Sequence, residues 1–539
     1  MSSETNKRLA LAAMICAVAM TFIDQTIVSI AIPDLQEDLG LSEAGVQWVV
    51  NGYLVALAAL FAFGGRIADV AGHRRMVLIG IAVFASASAL CGATPDGSIA
   101  EAWLIFWRVV QGAGAAIMFP AALAIVVAAF PRDERGRAMA TFFGIAGGLT
   151  AVGPLAGGYL IELSWRAIFW INVPVAIAAV LLTLRARPDD TRRPAPVDYR
   201  GAVLAALGLG LLVLGLQQSS AWGWDSPATW ASIAVGLALI AVFIRVELAT
   251  DPPLMQLRIF AGRAFAGDNA VLFLISIAFV PMFLFASMYS QISLGFDASN
   301  AGLYIGIFFA GFVIAAQWGG RMLDRGGART PVVIGCAIAA VGFYLWAESM
   351  PDVASGADWD QWWRIMIAGA GTGFVLGPVT TDALNRAPHT SYGEVTGITQ
   401  TMRNVGASVG LAVLGTLLIS ENRSNVETRF EDLGATKSQA DAVVDSLSQS
   451  GGGASDSLEH AGAKAEQFFE AVQDGFAQST QIIFYGMAIA MLLAGIVALA
   501  TIPRGRAPEA EILAEPEATD SPEETPAGVR DPAGSPPTS

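Results

Sequence analysis

The chain has 539 residues, of which 54% are hydrophobic and only 14% are charged, whereas soluble proteins carry about 25% charged residues. This composition excludes an ordinary soluble enzyme and favours many membrane-spanning helices, each of about 20 apolar residues. The formal net charge is −15, and segments 420–478 and 504–539 hold −12 of it, so the remainder offers no basic stripe for a nucleic acid. The cysteines Cys16, Cys91 and Cys336 lie at unrelated spacings in apolar stretches and predict neither disulfides nor a metal site.

Fourteen apolar runs are long enough to cross a bilayer. Each must be helical, because the hydrocarbon region contains no water to pair with backbone amides. The runs lie at about 9–32, 46–64, 76–94, 103–130, 138–160, 168–186, 200–217, 229–247, 265–290, 301–319, 330–350, 362–384, 395–419 and 481–502. If the N-terminus is cytoplasmic, the inner segments hold 23 of the 31 Lys and Arg residues, as the bias of basic residues toward cytoplasmic loops requires. We therefore predict a multi-pass protein of the cell membrane with both termini in the cytoplasm.

The first run carries Asp24, the only acid that lies well inside any of the runs. Burying a carboxylate in a bilayer costs several kcal/mol, so Asp24 should face a cavity and either pair or protonate. Arg108, on the fourth run, lies at a similar depth from the outer face when depth is counted by helical rise. Its guanidinium could therefore reach Asp24 directly or through water.

A ten-residue pattern occurs twice, each time in a tight loop after a run that exits to the predicted cytoplasmic side. The matched positions are Gly65, Asp69, Gly72 and Arg74 in the first copy and Gly320, Asp324, Gly327 and Arg329 in the second. Glycines allow a sharp turn and a close helix approach, an Asp can accept from the amides at a helix N-terminus, and arginines hold the loop inside. The repeat indicates two homologous halves.

Several polar or bending residues lie inside the apolar runs. Pro154 is expected to bend the fifth run. The side chains that could either line a central cavity or form hydrogen bonds between helices are Asn51, Gln111, Asn172, Gln317, Gln400 and Arg403. Arg403 has no acid at its own depth, and a structural role is about as well supported for it as a role in transport. Asp268 and Asp382 lie near cytoplasmic run ends, where solvated or capping roles are favoured.

Other classes of function find little support in the sequence. A primary pump would need a phosphate-binding loop of the form GxxxxGK[ST], and none is present. An intramembrane enzyme would need paired acids or a Ser/His set in the bilayer, yet His73, His389 and His460 all fall in predicted loops. We therefore predict neither an enzyme nor a bound cofactor or metal.

The loop pattern resembles the motif G-x-L-A-D-R-x-G-R-K/R of the major facilitator superfamily, and it departs from that motif at three positions. Segment 108–112 is similar to the family's R-x-x-Q-G motif. The segment Gly153-Pro154-Leu155-Ala156-Gly157-Gly158 is similar to the family's antiporter motif, although the leading glycine is replaced. With fourteen runs, the chain resembles the fourteen-span drug:proton antiporters of quaternary-ammonium and multidrug exporter type.

The resemblance implies an all-α membrane protein with the major facilitator fold. Its two six-helix halves would be residues 1–187 and 264–503, joined through the cytoplasmic linker 188–198 and two inserted membrane helices at 199–263. The second half would include the external loop 420–478, in which residues 458–476 have the pattern of an amphipathic helix lying at the outer interface. Residues 504–539 would form a disordered acidic cytoplasmic tail.

The resemblance also implies a mechanism. Two halves would rock around a midplane cavity, and Asp24 and Arg108 would couple this motion to protons. The expected function is proton-coupled efflux of small amphipathic or cationic drugs by a monomer in the lipid bilayer, with protons and the small molecule as its only other partners. The alternative is a proton-coupled importer or a metabolite facilitator of the same superfamily, and the antiporter motif is what favours export.

Overall fold

The computed structural model describes residues 3–188, 196–251, 253–386, 392–432 and 465–506, and every regular element in those ranges is a helix. The long helices are α1 (Ser3–Ile30), α2 (Glu43–Ala71), α3 (His73–Gly92), α4 (Ala100–Ala129), α5 in two parts (α5a, Arg135–Gly148; α5b, Val152–Leu163), α6 (Asn172–Ala186), α7 (Tyr199–Gln217), α8 (Pro227–Glu247), α9 (Arg263–Ile292), α10 (Ala298–Gly326), α11 (Arg329–Ser349), α12 (Trp362–Asn385), α13 (Tyr392–Asp432) and α14 (Ala465–Thr501). Short helices occur at Ile32–Leu39, Ala167–Trp170, Ser219–Trp222 and Val353–Ala357.

Twelve helical segments in the described ranges have the length and hydropathy needed to cross a membrane, and one of them is α6 taken together with the short helix Ala167–Trp170 before it. The two predicted spans outside this set are α5, which is split into two short parts, and α12, whose last turns carry Thr380, Thr381 and Asp382. The all-helical membrane fold is therefore confirmed, whereas a total of fourteen crossings stays a prediction.

Local sequence explains where several helices begin. Ser42, Asp198, Ser226 and Asp297 each stand just before a helix and accept a hydrogen bond from one of its first free amides. Such caps stabilise a helix start by about 1 kcal/mol. By contrast, the side chain of Glu134, which precedes α5a, makes no capping hydrogen bond.

The break in α5 has a direct chemical cause. Proline lacks an N–H group, so Pro154 cannot donate to the carbonyl of Thr150 four residues earlier. A 3-10 turn replaces the α-helix at Leu149–Ala151, and the Thr150 carbonyl instead accepts from the Thr26 hydroxyl on α1 at 3.0 Å. The bend expected from Pro154 is thus present, and α1 supplies the missing donor.

The helices pack as two groups with an additional pair beside them. Helices α1 to α6 contact one another, as do α9 to α14, and the groups meet chiefly where α2 crosses α13 and where α5 crosses α10. Helices α7 and α8 pack together, and α7 also contacts both α2 and α13. The pair thus lies beside the junction between the two groups.

The last two helices are longer than their apolar runs. Helix α13 continues to Asp432 and α14 begins at Ala465, and the two extensions pair through Arg429 Nη1 and Asp474 Oδ2 at 3.1 Å. Residues 465–478 therefore belong to α14, and the prediction that they form a separate interfacial helix is wrong. The polar extensions stay helical because they pack on each other. The rest of that predicted helix and the predicted tail beyond residue 506 lie outside the described residues.

Candidate functional site

Asp24 and Arg108 meet in the interior of the first half, as their depths predicted. Arg108 Nη1 donates to Asp24 Oδ2 at 2.6 Å and to Gln111 Oε1 at 2.8 Å. Gln111 Nε2 donates to Asp24 Oδ1 at 2.8 Å, which closes a ring of three side chains. All three are at most 1% exposed. The sequence placed Gln111 only among possible cavity residues, although its position one helical turn after Arg108 puts it on the same face of α4.

Helix α2 completes the surroundings of the guanidinium. Arg108 Nε donates to the backbone carbonyl of Val49 at 2.9 Å, and the guanidinium carbon lies 4.5 Å from the centre of the Tyr53 ring. Helices α1, α2 and α4 therefore share one charged centre. Removing one partner of such a buried pair leaves an uncompensated charge, at a cost of about 3–5 kcal/mol.

The first loop motif joins the two halves through Asp69. This carboxylate accepts from the backbone amides of Gly393, at 2.9 Å, and Glu394, at 2.7 Å, in the first turn of α13. His73 Nε2 also lies 2.9 Å from Asp69 Oδ1. An anion is favoured at this position because free amides and the helix dipole both point toward it.

The second loop motif repeats this geometry in the opposite direction. Asp324, on α10 of the second half, accepts from the amides of Gly136 at 2.8 Å and Arg137 at 3.2 Å in the first turn of α5a. The helix that lacks a cap of its own is thus capped by the other half. Each half supplies one carboxylate to one helix of its partner, and we call the side of the molecule where both contacts lie the motif side.

Glycines of both motifs are required by the backbone. Gly72 and Gly327 have φ angles of 103° and 88°, a conformation that glycine adopts without strain. A Cβ on Gly65 would lie 2.2 Å from the carbonyl oxygen of Gly393, and one on Gly320 would lie 2.4 Å from that of Gly136. The halves can therefore approach closely enough for the two caps only with glycine at these crossings.

The motif arginines differ in their surroundings. Arg74 is half-buried, while Arg329 begins α11 and donates through Nη2 to the carbonyl of Leu499 on α14 at 2.8 Å. Arg66, the residue after Gly65, has its Nη1 3.7 Å from Glu394 Oε2. Glu394 belongs to none of the sequence motifs and was not predicted as a site residue.

Glu394 also connects this contact to the segment after the inserted helices. Its other carboxylate oxygen accepts from the backbone amide of Gln256, and the adjacent Met255 amide donates to Glu247 at the end of α8. Leu254 is fully buried. Residues 253–256 are thus held between the inserted pair and α13. The apolar pair Leu254 and Met255 is the one feature of this segment that could have indicated its packing from sequence.

The antiporter-like segment contacts α1 beside the charged ring. A Cβ on Gly153 would lie 2.0 Å from Thr26 Oγ1, the hydroxyl that satisfies the Thr150 carbonyl. Gly153 therefore keeps α5b close to the helix that carries Asp24. Gly157 is buried, and its neighbour Gly158 lies in the same helix.

Arg403 lies where α13 faces the first half and is 7% exposed. Its Nη1 donates to Gln400 Oε1 at 3.0 Å, and its guanidinium carbon lies 5.6 Å from the centre of the Phe143 ring on α5a. Its Nε has no hydrogen-bond acceptor among the described residues. This buried cation therefore has spare capacity to bind an acceptor that enters between the halves.

The other polar residues make hydrogen bonds between helices, as the alternative interpretation allowed. Asn51 Nδ2 donates to Gln218 Oε1 next to the inserted pair at 2.7 Å, and Asn172 Nδ2 donates to Ser88 Oγ on α3 at 3.0 Å. Gln317 on α10 donates to a threonine hydroxyl of α5a at 3.3 Å. Their role in lining a cavity stays a prediction.

Two acids, Asp268 and Asp382, are more deeply buried than their positions near the run ends predicted. Asp268 and Asp382 were expected in solvated or capping positions, yet they are 0% and 1% exposed and share Arg386. The solvated interpretation is wrong, because the ends of α9 and α12 pack side by side and the arginine covers them.

The fold and these contacts define a membrane transporter, and comparison with known proteins identifies its family. The family profile described as Major Facilitator Superfamily matches residues 14–411. The chain belongs to this superfamily.

Named relatives match about three quarters of this chain. The Tetracenomycin C resistance and export protein of Streptomyces glaucescens is 34% identical over 417 residues, which are 76% of each chain. The puromycin resistance protein pur8 of Streptomyces alboniger is 34% identical over 76% of this chain and 81% of its own. Among solved structures, the proton:xylose symporter XylE has a TM-score of 0.59 at 12% identity, covering 94% of this chain and 98% of that one. At that identity XylE shares the fold alone.

Proposed function

We propose that this transporter exports small amphipathic or cationic molecules across the cell membrane in exchange for protons. Relatives named for export, antibiotic resistance and multidrug resistance support the direction and the substrate class. The buried ring of Asp24, Arg108 and Gln111 carries the proposal of proton coupling. Asp24 accepts hydrogen bonds from both Arg108 and Gln111, and a proton and a cationic substrate would compete for this one carboxylate.

The proposal includes a topology. The motif side is cytoplasmic, both termini lie on that side, and α1 to α14 are fourteen crossings, with residues 1–187 and 264–503 as the moving halves and 199–263 as an inserted pair. The distribution of basic residues supports this orientation. A monomer suffices, because both halves belong to one chain. Single cysteines at Ser448 and Ser535 in a cysteine-free background test the orientation: an impermeant thiol reagent should label only Ser448→Cys in intact cells.

The driving force is a proton gradient, worth about 2.3 kcal/mol per charge for each 100 mV. Alternating access would expose the ring first to one side and then to the other. The Asp69 and Asp324 caps close the motif side in the arrangement described, and their separation would open it.

Inverted vesicles with an acidic interior test coupling directly. Vesicles with the unsubstituted protein should accumulate a cationic dye, and a protonophore should abolish the accumulation. Asp24→Asn should lose gradient-driven accumulation while still binding the dye, and Asp34→Asn, at an exposed acid on the following short helix, should transport normally. Wild-type accumulation by Asp24→Asn would disprove its coupling role. Accumulation that survives the protonophore would disprove proton coupling altogether.

A further inference from the structure

A second buried acidic site lies on the motif side of the second half, away from Asp24. Asp268 is in the second turn of α9, and Asp382 is in the last turn of α12. Arg386 donates to Asp382 Oδ2 from Nε at 3.0 Å and from Nη2 at 2.7 Å. Its own side chain is 12% exposed, so the site lies near the surface but is closed to water.

Asp268 is the unsatisfied member of this group. Neither of its carboxylate oxygens has a hydrogen-bond donor among the described residues, and its nearest cation, Arg386 Nε, is 3.4 Å away and already bonded to Asp382. A buried carboxylate without hydrogen bonds costs several kcal/mol. The two carboxyl groups are brought together at one atom, because Arg386 Nε lies 3.4 Å from Asp268 Oδ2 and 3.0 Å from Asp382 Oδ2.

We propose that Asp268, Asp382 and Arg386 form a proton-binding site that is filled while the motif side is closed. With one proton bound, the net charge of the three side chains is zero, and without it their net charge is −1. The proton binds to an Asp268 oxygen, and the resulting O–H group donates a hydrogen bond to the Asp382 carboxylate. Asp268 thereby gains the hydrogen bond that its ionised form lacks. The proposal rests on the proposed function in taking the motif side as cytoplasmic.

Several elements packed against α9 carry other charged groups. These elements are α10, α12, α13, α14 and the 3-10 turn Leu257–Ala261. At the end of α12, Arg386 Nε lies 3.4 Å from Asp268, and Asp382 shares the same guanidinium. On the other elements, Asp324 caps α5a, Glu394 pairs with Arg66 and Arg258 is exposed. Arg263, the first residue of α9 itself, and Arg504, beyond the end of α14, are exposed as well.

The site adjoins the contact between the halves. Asn385, next to Arg386, accepts through Oδ1 from Arg135 Nη1 of α5a at 2.8 Å. Arg135 also lies over the ring of Tyr392, the first residue of α13, at 5.3 Å. If separation of the halves admits water to the cluster, the carboxylates can ionise there, so the closed arrangement binds the proton more tightly. A ligand favours the state that binds it better, so low cytoplasmic pH should favour closure and high pH should favour opening.

Infrared spectroscopy of the full-length protein in lipid tests proton binding through the C=O stretch of protonated carboxylic acids. The unsubstituted protein should lose one such band as the pH is raised. Asp268→Asn should lack this band, and so should Asp382→Asn, because Asp268 then pairs with Arg386 alone. Asp24→Asn should retain it. A band that persists in Asp268→Asn, or that is absent from the unsubstituted protein at all pH values, overturns the proposal whether or not Asp24 couples transport.

Spin labels at the exposed positions Arg75 and Thr330, in the first and second halves on the motif side, test the link to closure. In the cysteine-free background, the long-distance population should grow as the pH rises. Asp268→Asn, a neutral mimic of the protonated acid, should keep the short distance at every pH. If it keeps the original pH dependence instead, the site does not control closure and this part of the proposal fails.

Discussion

Asp69→Asn is expected to open the motif side without weakening substrate binding. The carboxylate accepts two backbone amides at the start of α13 across the junction between the halves. Asparagine keeps one acceptor oxygen but replaces the other with an NH₂ group, which would face an amide donor. The substitution therefore removes at least one of the two hydrogen bonds and the charge that favours both.

The magnitude follows from the bonds lost. A hydrogen bond to a charged group contributes about 1.5–3 kcal/mol, and the interaction of a negative charge with a helix N-terminus adds about 0.3–1 kcal/mol. Because His73 stays close to the position and the remaining oxygen still accepts, we expect a net loss of about 2–3 kcal/mol. At about 1.4 kcal/mol per factor of ten, the ratio of closed to open molecules should fall by about 30- to 150-fold.

The spin-label pair at Arg75 and Thr330 measures this ratio directly. Asp251→Asn is the matched control, because Asp251 is an exposed acid on the same side and its substitution should leave the distances unchanged. Dye binding in detergent should stay within about twofold of that of the unsubstituted protein, while turnover falls. A distance distribution for Asp69→Asn that matches the control, or a large loss of binding with normal turnover, would refute the reasoning.

Three further predictions use the same preparations. Gly153→Ala should push the Thr26 hydroxyl away from its carbonyl partner and lower the melting temperature. At Gly144 a new Cβ meets nothing closer than 3.8 Å, so Gly144→Ala should stabilise the helix by up to about 0.5–1 kcal/mol and leave the melting temperature unchanged or higher. Arg108→Ala should cost about 3–5 kcal/mol by leaving a buried acid unpaired, and the additional substitution Asp24→Asn should recover much of that loss in the same thermal assay. Glu394→Gln should weaken the attachment of segment 253–256 and increase its proteolysis, and equal cleavage of both proteins would contradict that contact.

The sequence predicts the fold because the hydrocarbon environment leaves few solutions. Apolar runs locate the helices, and the repeated loop indicates two halves. Asp24 and Arg108 could be paired from sequence because the depth of each residue follows from the helical rise along its own run. The sequence could predict that Asp69 caps a helix, since an acid in a turn favours the free amides of a helix start. It could not predict which helix, because the capped helix is more than 300 residues away in sequence and is placed there only by packing.

Other features depend on which helices are neighbours. Asp268 and Asp382 lie near run ends, and depth alone cannot show that the two ends pack together under one arginine. Glu394 lies at the end of a predicted loop and has no sequence signal for its contact with Gln256. The polar extensions of α13 and α14 satisfy each other, so hydropathy marks where the apolar surface ends and not where the helix ends.

The free energy of the two caps can be compared with the free energy needed to switch the transporter between its closed and open states. The carboxylates of Asp69 and Asp324 each accept hydrogen bonds from the first amides of a helix in the other half, and separating the halves breaks both contacts together. At about 2–3 kcal/mol each, the two caps contribute about 4–6 kcal/mol to closure. Moving a two-state equilibrium from 1:99 to 99:1 needs about 5.5 kcal/mol. The caps alone can therefore hold the motif side closed, yet a bound substrate or a change of protonation worth a few kcal/mol can reverse the preference, which is the balance that alternating access requires.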